Sequence, residues 1–489
     1  MNRREFLGKA SAGLAALALA RIAARAHAAE PKRPNILLVI ADDLTWKDCE
    51  PYGNPDVHTP NLARLAREGL CFDLMFTSTA MCAPSRQQLY TGLYPVRNGA
   101  YPNHSHVYPG VRGLPIYLKE LGYRVGIAGK QHFGPRESFP FEIVAKSRAG
   151  ADDVPAIARF INRSKSEPYC LIVASHQPHK PWDKGDPSAY DLARLIVPPY
   201  LVDCPETRED LARYYAEITY LDGQVGNCLK VVDDSAQADN TMVIFTSEQG
   251  AQFPSQGKWT CYDSGLRATF IVRWPAAVKP NTRTRALAQY VDVLPTLLEA
   301  AGADPARVDT GRPDAKGRKG FDGKSFLGVL LGEKTAHRDY VYGVQTTRGI
   351  INGSACYPIR SIRSARFKYI WNLNHEATFY NVESTNPQGL FAVWRKLAER
   401  DEKAARIVRA YQHRPEEELY DVLNDPFELR NLADDARYAQ VKAELRTRLE
   451  QWMAEQGDEG IATELKATTR QPRGANWKPY SPPGAKESN

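Results

Sequence analysis

The chain has 489 residues, 43% of them hydrophobic, which is enough for a sizeable buried core and one large α/β domain with an appendage. Its formal charge of +7 is concentrated at the N-terminus: the first 28 residues hold Arg3, Arg4, Lys9, Arg21 and Arg25 against Glu5, leaving +3 for the remainder. With no basic stripe elsewhere, that balance argues against a nucleic-acid partner.

The paired arginines in NRREFLG, the mild apolar run ASAGLAALALA and the small-residue site AHA ending at Ala28 read as a twin-arginine export signal over residues 1–28. The alternative, a membrane span, meets an apolar run too short to cross a bilayer and closely followed by Arg21 and Arg25. A periplasmic or secreted protein, with no stable membrane association after signal removal, is the expectation. Eight cysteines show no zinc-type spacing and predict no specific disulfide.

Four apolar runs then read as buried strands, each ending in polar residues. NILLVIADD ends in Asp42 and Asp43, YRVGIAGKQH in Lys130 and His132, YCLIVASHQPH in His176 and His179, and MVIFTSEQG in Glu248 and Gln249. Helical patterns lie among them: TPNLARLAREG, with Thr59 before Pro60, LPIYLKELG and VLPTLLEAAG. Alternating strands and helices predict a mostly parallel sheet covered on both faces, with ligands bound beyond the carboxyl ends of the strands. The carboxylates and the Gln249 amide are hard oxygen donors suited to calcium or magnesium, while Lys130, His132, His179 and Lys258 could neutralise an anion or move protons.

The stretch MCAPSRQQLYTG places Cys82 at the start of a helix, with Pro84 suited to its first turn. The positive end of a helix is where an anion docks, and Arg86 offers a fork to its oxygens. With Cys82, Pro84, Ser85, Arg86, Thr91 and Gly92 in place, the sequence resembles the type I sulfatases, whose signature is C-x-P-S-R followed by T-G. The resemblance runs on through IADD, GKQH, HQPH, GKWT and ELYDVLNDPFELRNLADD.

That resemblance implies an alkaline-phosphatase-like fold, with a smaller C-terminal α+β subdomain. It implies that a maturation enzyme oxidises Cys82 to formylglycine, whose hydrate supplies the nucleophile. It implies a divalent ion, usually calcium, with magnesium possible, held by Asp42, Asp43, Glu248 and Gln249 and touching residue 82. Arg86 and Lys130 would orient the hydrate, His179 and Lys258 would contact the sulfate and protonate the leaving group, and His132 would accept the proton that returns the aldehyde. One departure stands out: where the family has Asp followed by Asn or His, this chain has Glu248 and Gln249, each one methylene longer.

Within the family, GKQHFGPRESFPFE and YPIRSIRSARFKYIWNLN most resemble the N-sulfatases of heparan, which implies N-sulfoglucosamine as substrate. O-sulfatases acting on algal polysaccharides, on sulfated rhamnose or fucose, are the alternative. A phosphonate or phosphate monoester hydrolase and a noncatalytic sugar-binding protein remain open. Candidates for sugar recognition are His104, His106, Lys180, Trp182 and His375, with Trp259 and Tyr262 as further aromatics. The expected division is an export signal at 1–28, a catalytic domain at 29–345 and a C-terminal subdomain at 346–489. In the last, Tyr438, Val441, Leu445, Leu449 and Trp452 form a helical packing stripe ahead of a proline-rich tail, extended or used between subunits. The segment TGRPDAKGRKGFDG reads as a surface loop.

Overall fold

Strand β1, Asn35–Ala41, has no polar face: all seven residues are buried. Successive side chains of a strand point to opposite faces, so this sequence needs cover on both. Leu37, Val39 and Ala41 enter one core, and Ile36, Leu38 and Ile40 enter another. The computed structural model describes residues 33–146 and 150–482, so the expected export signal lies outside the described residues.

The remaining strands of the main sheet are β2 (Leu70–Phe72), β3 (Arg124–Gly129), β4 (Glu142–Ala145), β5 (Tyr169–Ala174), β6 (Thr241–Ser247), β7 (Phe270–Arg273) and β8 (Thr282–Thr284). Their spatial order is β8-β2-β7-β6-β1-β5-β3-β4. Every pairing from β6 to β4 is parallel, as is β2 with β8, while β7 runs antiparallel to both β6 and β2. The sheet is therefore mixed but mostly parallel, as its apolar runs predict.

Helices α1 (Pro60–Arg67), α4 (Val154–Asn162) and α5 (Pro205–Asp233) cover one face, contributing Leu62, Leu65, Ile157, Phe160 and Leu221 to its core. Helices α2 (Cys82–Thr91), α3 (Leu114–Glu120) and α6 (Val293–Ala300) cover the other through Leu89, Leu118, Leu294 and Leu297. Beyond the strands the parallel ladder continues into the loops. The Glu248 amide donates to Ala41 O (3.2 Å), that of Lys130 to Ala174 O (2.9 Å), and that of Asp42 to Gln177 O (2.9 Å). These bonds fix the polar loops against one another at one edge of the sheet.

A second sheet of four antiparallel strands, β9 (Val341–Gln345), β10 (Ile359–Arg363), β11 (Phe367–Asn372) and β12 (Glu417–Asp421), lies under helix α7 (Ala439–Gln456). The expected stripe packs on it: Leu445, Leu449 and Trp452 are buried with Val344, Ile362 and Leu419, and Tyr438 and Val441 lie half-buried alongside. The 310–323 loop is pinned by the Arg97 guanidinium, which donates to the carbonyls of Arg312, Arg318 and Gly320. The described part of the tail, up to residue 482, is tied down: Arg470 donates to Gly99 O and His106 O, Gln471 to Asn103 O and Gly349 O, and Trp477 to Ile350 O. That part is thus laid against its own chain. All eight cysteines are free thiols, and no described helix is long and apolar enough to cross a membrane.

Candidate active site

The polar residues that follow β1 and β6 meet at the start of α2. One ligand atom each from Asp42, Asp43, Cys82 and Glu248 lies within 4.8 Å of the other three, and all four residues are buried. Cys82 is the first residue of a helix buried at all ten positions, and its N-cap Met81 supplies no side-chain cap. The partial positive charge of that helix end therefore falls at the cluster. Ser85 Oγ donates to Glu248 O at 2.6 Å, tying α2 to the loop after β6. Gln88 Oε1 accepts from the Ser78 amide at 2.9 Å, which sets the approach of the chain to Cys82.

Each carboxylate has a cation against it. Lys130 Nζ is 2.5 Å from Asp42 Oδ2, Lys258 Nζ is 2.7 Å from Asp43 Oδ2, and Arg86 pairs with Glu248. His179 Nε2 lies 3.7 Å from Asp43 Oδ2. Gln249 Nε2 donates to Asp43 Oδ1 (2.7 Å), Glu248 Oε1 (3.0 Å) and Cys82 Sγ (3.2 Å). The longer side chains of Glu248 and Gln249 thus still reach the cluster. His132 meets His104 rather than the carboxylates, its Nε2 lying 2.8 Å from His104 Nδ1.

Burial opposes ionisation of Asp42, but Lys130, a hydrogen bond with Glu248, His179 and Arg86 hold it well below the usual carboxylate range. Glu248 goes the other way: burial, with Asp42 beside it, outweighs Arg86 and Lys130 and pushes it up to about 8. Burial, helped by Lys130 and His104, drives His132 well below the ordinary imidazole value and keeps it neutral. Burial and the charge of Glu248 raise the Cys82 thiol.

The donor set fits a hard divalent cation. Gln249 Oε1 is buried with no hydrogen-bond partner, in a cluster with the carboxylates of Asp42, Asp43 and Glu248, and oxygen-rich sites of this kind take calcium or magnesium. Backbone strain is also concentrated here. Asp43, His104, His132 and Trp259 are four of the seven described non-glycine residues with positive φ. Each such conformation costs on the order of 1–3 kcal/mol and persists where surrounding structure over-determines it.

The outer candidates separate. His179 and Lys180 line a cavity of about 770 Å³ together with His176 and Glu217, and Lys180 pairs with Glu383 at 2.9 Å. Trp182 is half-buried and packs on Tyr214 and Phe253, with its indole N–H given to Pro178 O and Lys180 Nζ 4.7 Å from its ring. Trp259 and Tyr262 are buried. His104 is exposed, and His106 lies half-buried against Gly134. His375, in the turn after β11, makes no hydrogen bond or ion pair among the described residues. Missing from the expectations were Gln252, which accepts from Lys258 and donates to Glu383, and Glu383 itself. Gln252 stands three places after Gln249 in SEQGAQ, which is the one signal that could have found it.

The sulfatase family profile matches residues 34–303. The chain belongs to the sulfatase family. Membership makes it a sulfate ester hydrolase. It is similar to an ulvan-active sulfatase of Formosa agariphila, 35% identical over 434 residues that cover 87% of this chain and 81% of that one. It is also similar to human N-sulphoglucosamine sulphohydrolase, 31% identical over 467 residues covering 87% and 90%. A solved structure in complex with its substrate D-glucosamine-2-N,6-O-disulfate superimposes with a TM-score of 0.64 at 21% identity, covering 88% of this chain and 99% of that one. The fold is that of the alkaline-phosphatase-like sulfatases, with a mixed central sheet and a C-terminal antiparallel subdomain.

Proposed function

We propose that this sulfatase removes sulfate from a sugar of a sulfated polysaccharide, using formylglycine made from Cys82 and a divalent ion, calcium before magnesium, held by Asp42, Asp43, Glu248 and Gln249. The observation that carries this is the placement of Cys82: a thiol at a helix N-terminus inside a cage of carboxylates and cations, yet raised by burial. A raised, buried thiol is a poor nucleophile, so the position makes chemical sense as a precursor. When present, the ion would polarise the sulfate and the formylglycine hydrate would supply the attacking oxygen.

The remaining steps belong to this chain's side chains. Arg86 and Lys130 orient residue 82, and Lys258 with His179 holds the sulfate oxygens and delivers a proton to the leaving oxygen. His132 Nδ1 is buried and unpartnered while Nε2 is engaged by His104, which leaves one nitrogen to take a proton during regeneration.

For substrate, an O-sulfated sugar of ulvan comes first and N-sulfoglucosamine second, because the ulvan-active relative has the higher identity at equal coverage of this chain. The reading includes export through the twin-arginine signal to the periplasm or beyond, and a maturation enzyme as partner.

The test is sulfate release by protein coexpressed with a maturation enzyme, offered ulvan oligosaccharides, N-sulfoglucosamine, 6-O-sulfated glucosamine and a phosphate ester. Release from ulvan fragments with a lighter Cys82 peptide in the mass spectrum is the expected outcome. Release from N-sulfoglucosamine alone moves the assignment to the sulfamate. Turnover with an unaltered Cys82 overturns the nucleophile, and turnover of the phosphate ester alone overturns the reaction class.

A further inference from the structure

The tail was expected to be extended or used between subunits; over its described residues it borders a cavity of about 470 Å³ lined by His104, Gly349, Gln471, Arg473, Asn476 and Trp477. Sites for small ligands commonly span a few hundred cubic ångströms and place a few polar groups around an apolar wall. This one adjoins the reacting centre through a single side chain, since His104 lines the cavity and also holds His132 at 2.8 Å.

The tail is seated rather than merely adjacent. The Gln471 amide spans Asn103 O and Gly349 O, and Tyr480 N donates to Gly353 O. Gly349 has φ +96°, and a Cβ there would come within 2.6 Å of the Gln471 side chain. A side chain there would have to displace the Gln471 amide from its two carbonyls. Within the cavity, Trp477 is half-buried, with the Arg348 guanidinium 5.4 Å from its ring, and its N–H is spent on Ile350 O. Arg473 is exposed, and its guanidinium has no hydrogen bond or ion pair among the described residues.

We propose that the tail builds a second saccharide subsite beside the reacting centre, which takes a pyranose ring carrying an anionic group, a carboxylate or a second sulfate. Trp477 supplies the apolar platform, Arg473 the charge-assisted hydrogen bonds to the anion, and Gln471 and Asn476 amide partners for hydroxyls. The inference rests on the saccharide reading above and deepens it: it assigns recognition of the neighbouring sugar to residues outside the sulfatase signature.

The experiment compares kcat/KM for a sulfated oligosaccharide with that for the sulfated monosaccharide, in the parent, Arg473→Gln and Trp477→Ala. Three oligosaccharide arms carry a uronate, a sulfated or a neutral sugar next to the reacting one. The oligosaccharide-to-monosaccharide ratio falls about tenfold or more in Arg473→Gln for an anionic arm, the loss expected of one charge-assisted hydrogen bond, and the arm that falls identifies the anion. An unchanged ratio in every arm, or an equal fall in the neutral arm, overturns the proposal. Arg473 is exposed, so this variant keeps the test alive if Trp477→Ala does not fold. Calorimetry with desulfated anionic oligosaccharide decides the subsite without turnover: binding about tenfold weaker in Arg473→Gln supports it, and equal binding overturns it. If the parent releases no sulfate from any substrate, the proposed reaction falls, and the calorimetry still decides the subsite on its own.

Discussion

Glu248 and Asp292 are both fully buried carboxylates facing an arginine, yet the fold treats them in opposite ways. Asp292 accepts from the backbone amides of Gln289 and Lys324, from the Arg338 guanidinium, and faces His337 at 3.1 Å. Burial opposes its ionisation, but Arg338 and His337 overcome that and hold it well below the usual carboxylate range. Glu248 has Arg86, but it also has Asp42, and it is pushed up to about 8. One is a finished joint between α6, the loop at Lys324 and the segment entering β9. The other sits where a further positive charge would be stabilising, as a cation site requires.

The contrast breaks most visibly in the pair of isosteric variants. Glu248→Gln is expected to cut sulfate release about a hundredfold to a thousandfold, the range for losing one preorganised charge contact, while the melting temperature in chelator stays at or above that of the parent. Should activity fall only in proportion to lost folding, Glu248 is structural and the contrast with Asp292 disappears. Asp292→Asn should do the reverse. Breaking a buried ion pair from one side costs about 3–5 kcal/mol, so thermal or urea melts shift down strongly while kcat/KM per folded molecule holds.

How far these two were legible in sequence differs for a physical reason. Asp42, Asp43, Lys130 and Glu248 follow uninterrupted apolar runs, and parallel strands bring such ends to one edge, so their convergence could be read without coordinates. Asp292 could not: it stands in a helical pattern, and Arg338, the arginine that defines it, is 46 positions away. The tail shows the same limit. RQPRGANWKPY reads only as polar and proline-rich, while its seats at Asn103 and Gly349 are 368 and 122 positions distant. Nor could the packing of Trp182 on Tyr214 and Phe253 be read, because an aromatic in a loop carries no mark of which neighbours will meet it. The mostly parallel sheet was legible, but the strand that runs against it was not, since β7 is four residues long and nothing in FIVR signals its direction.

The smallest effect, and the one that separates the two carboxylates most directly, is the pH dependence of stability. Asp292 has a depressed folded value, so its contribution is present above the unfolded range near 3.9 and is lost as pH falls through the folded value. Glu248 has a raised folded value, so between about pH 4 and 8 the folded chain holds a proton that the unfolded chain has released, and stability declines as pH rises across that window. Melts with a chelator should therefore slope downward from pH 5 to 8, by no more than about 1.4 kcal/mol per unit for one proton. Glu248→Gln should remove the slope. Calcium should flatten it too, because bound calcium favours the ionised carboxyl, and at a hundredfold over its dissociation constant should add about 2.7 kcal/mol besides. Asp292→Asn should leave this neutral-pH slope in place and weaken only the loss of stability below about pH 4. A parent whose stability is flat from pH 5 to 8 in chelator, and unmoved by calcium, would mean that Glu248 is already as fully compensated as Asp292.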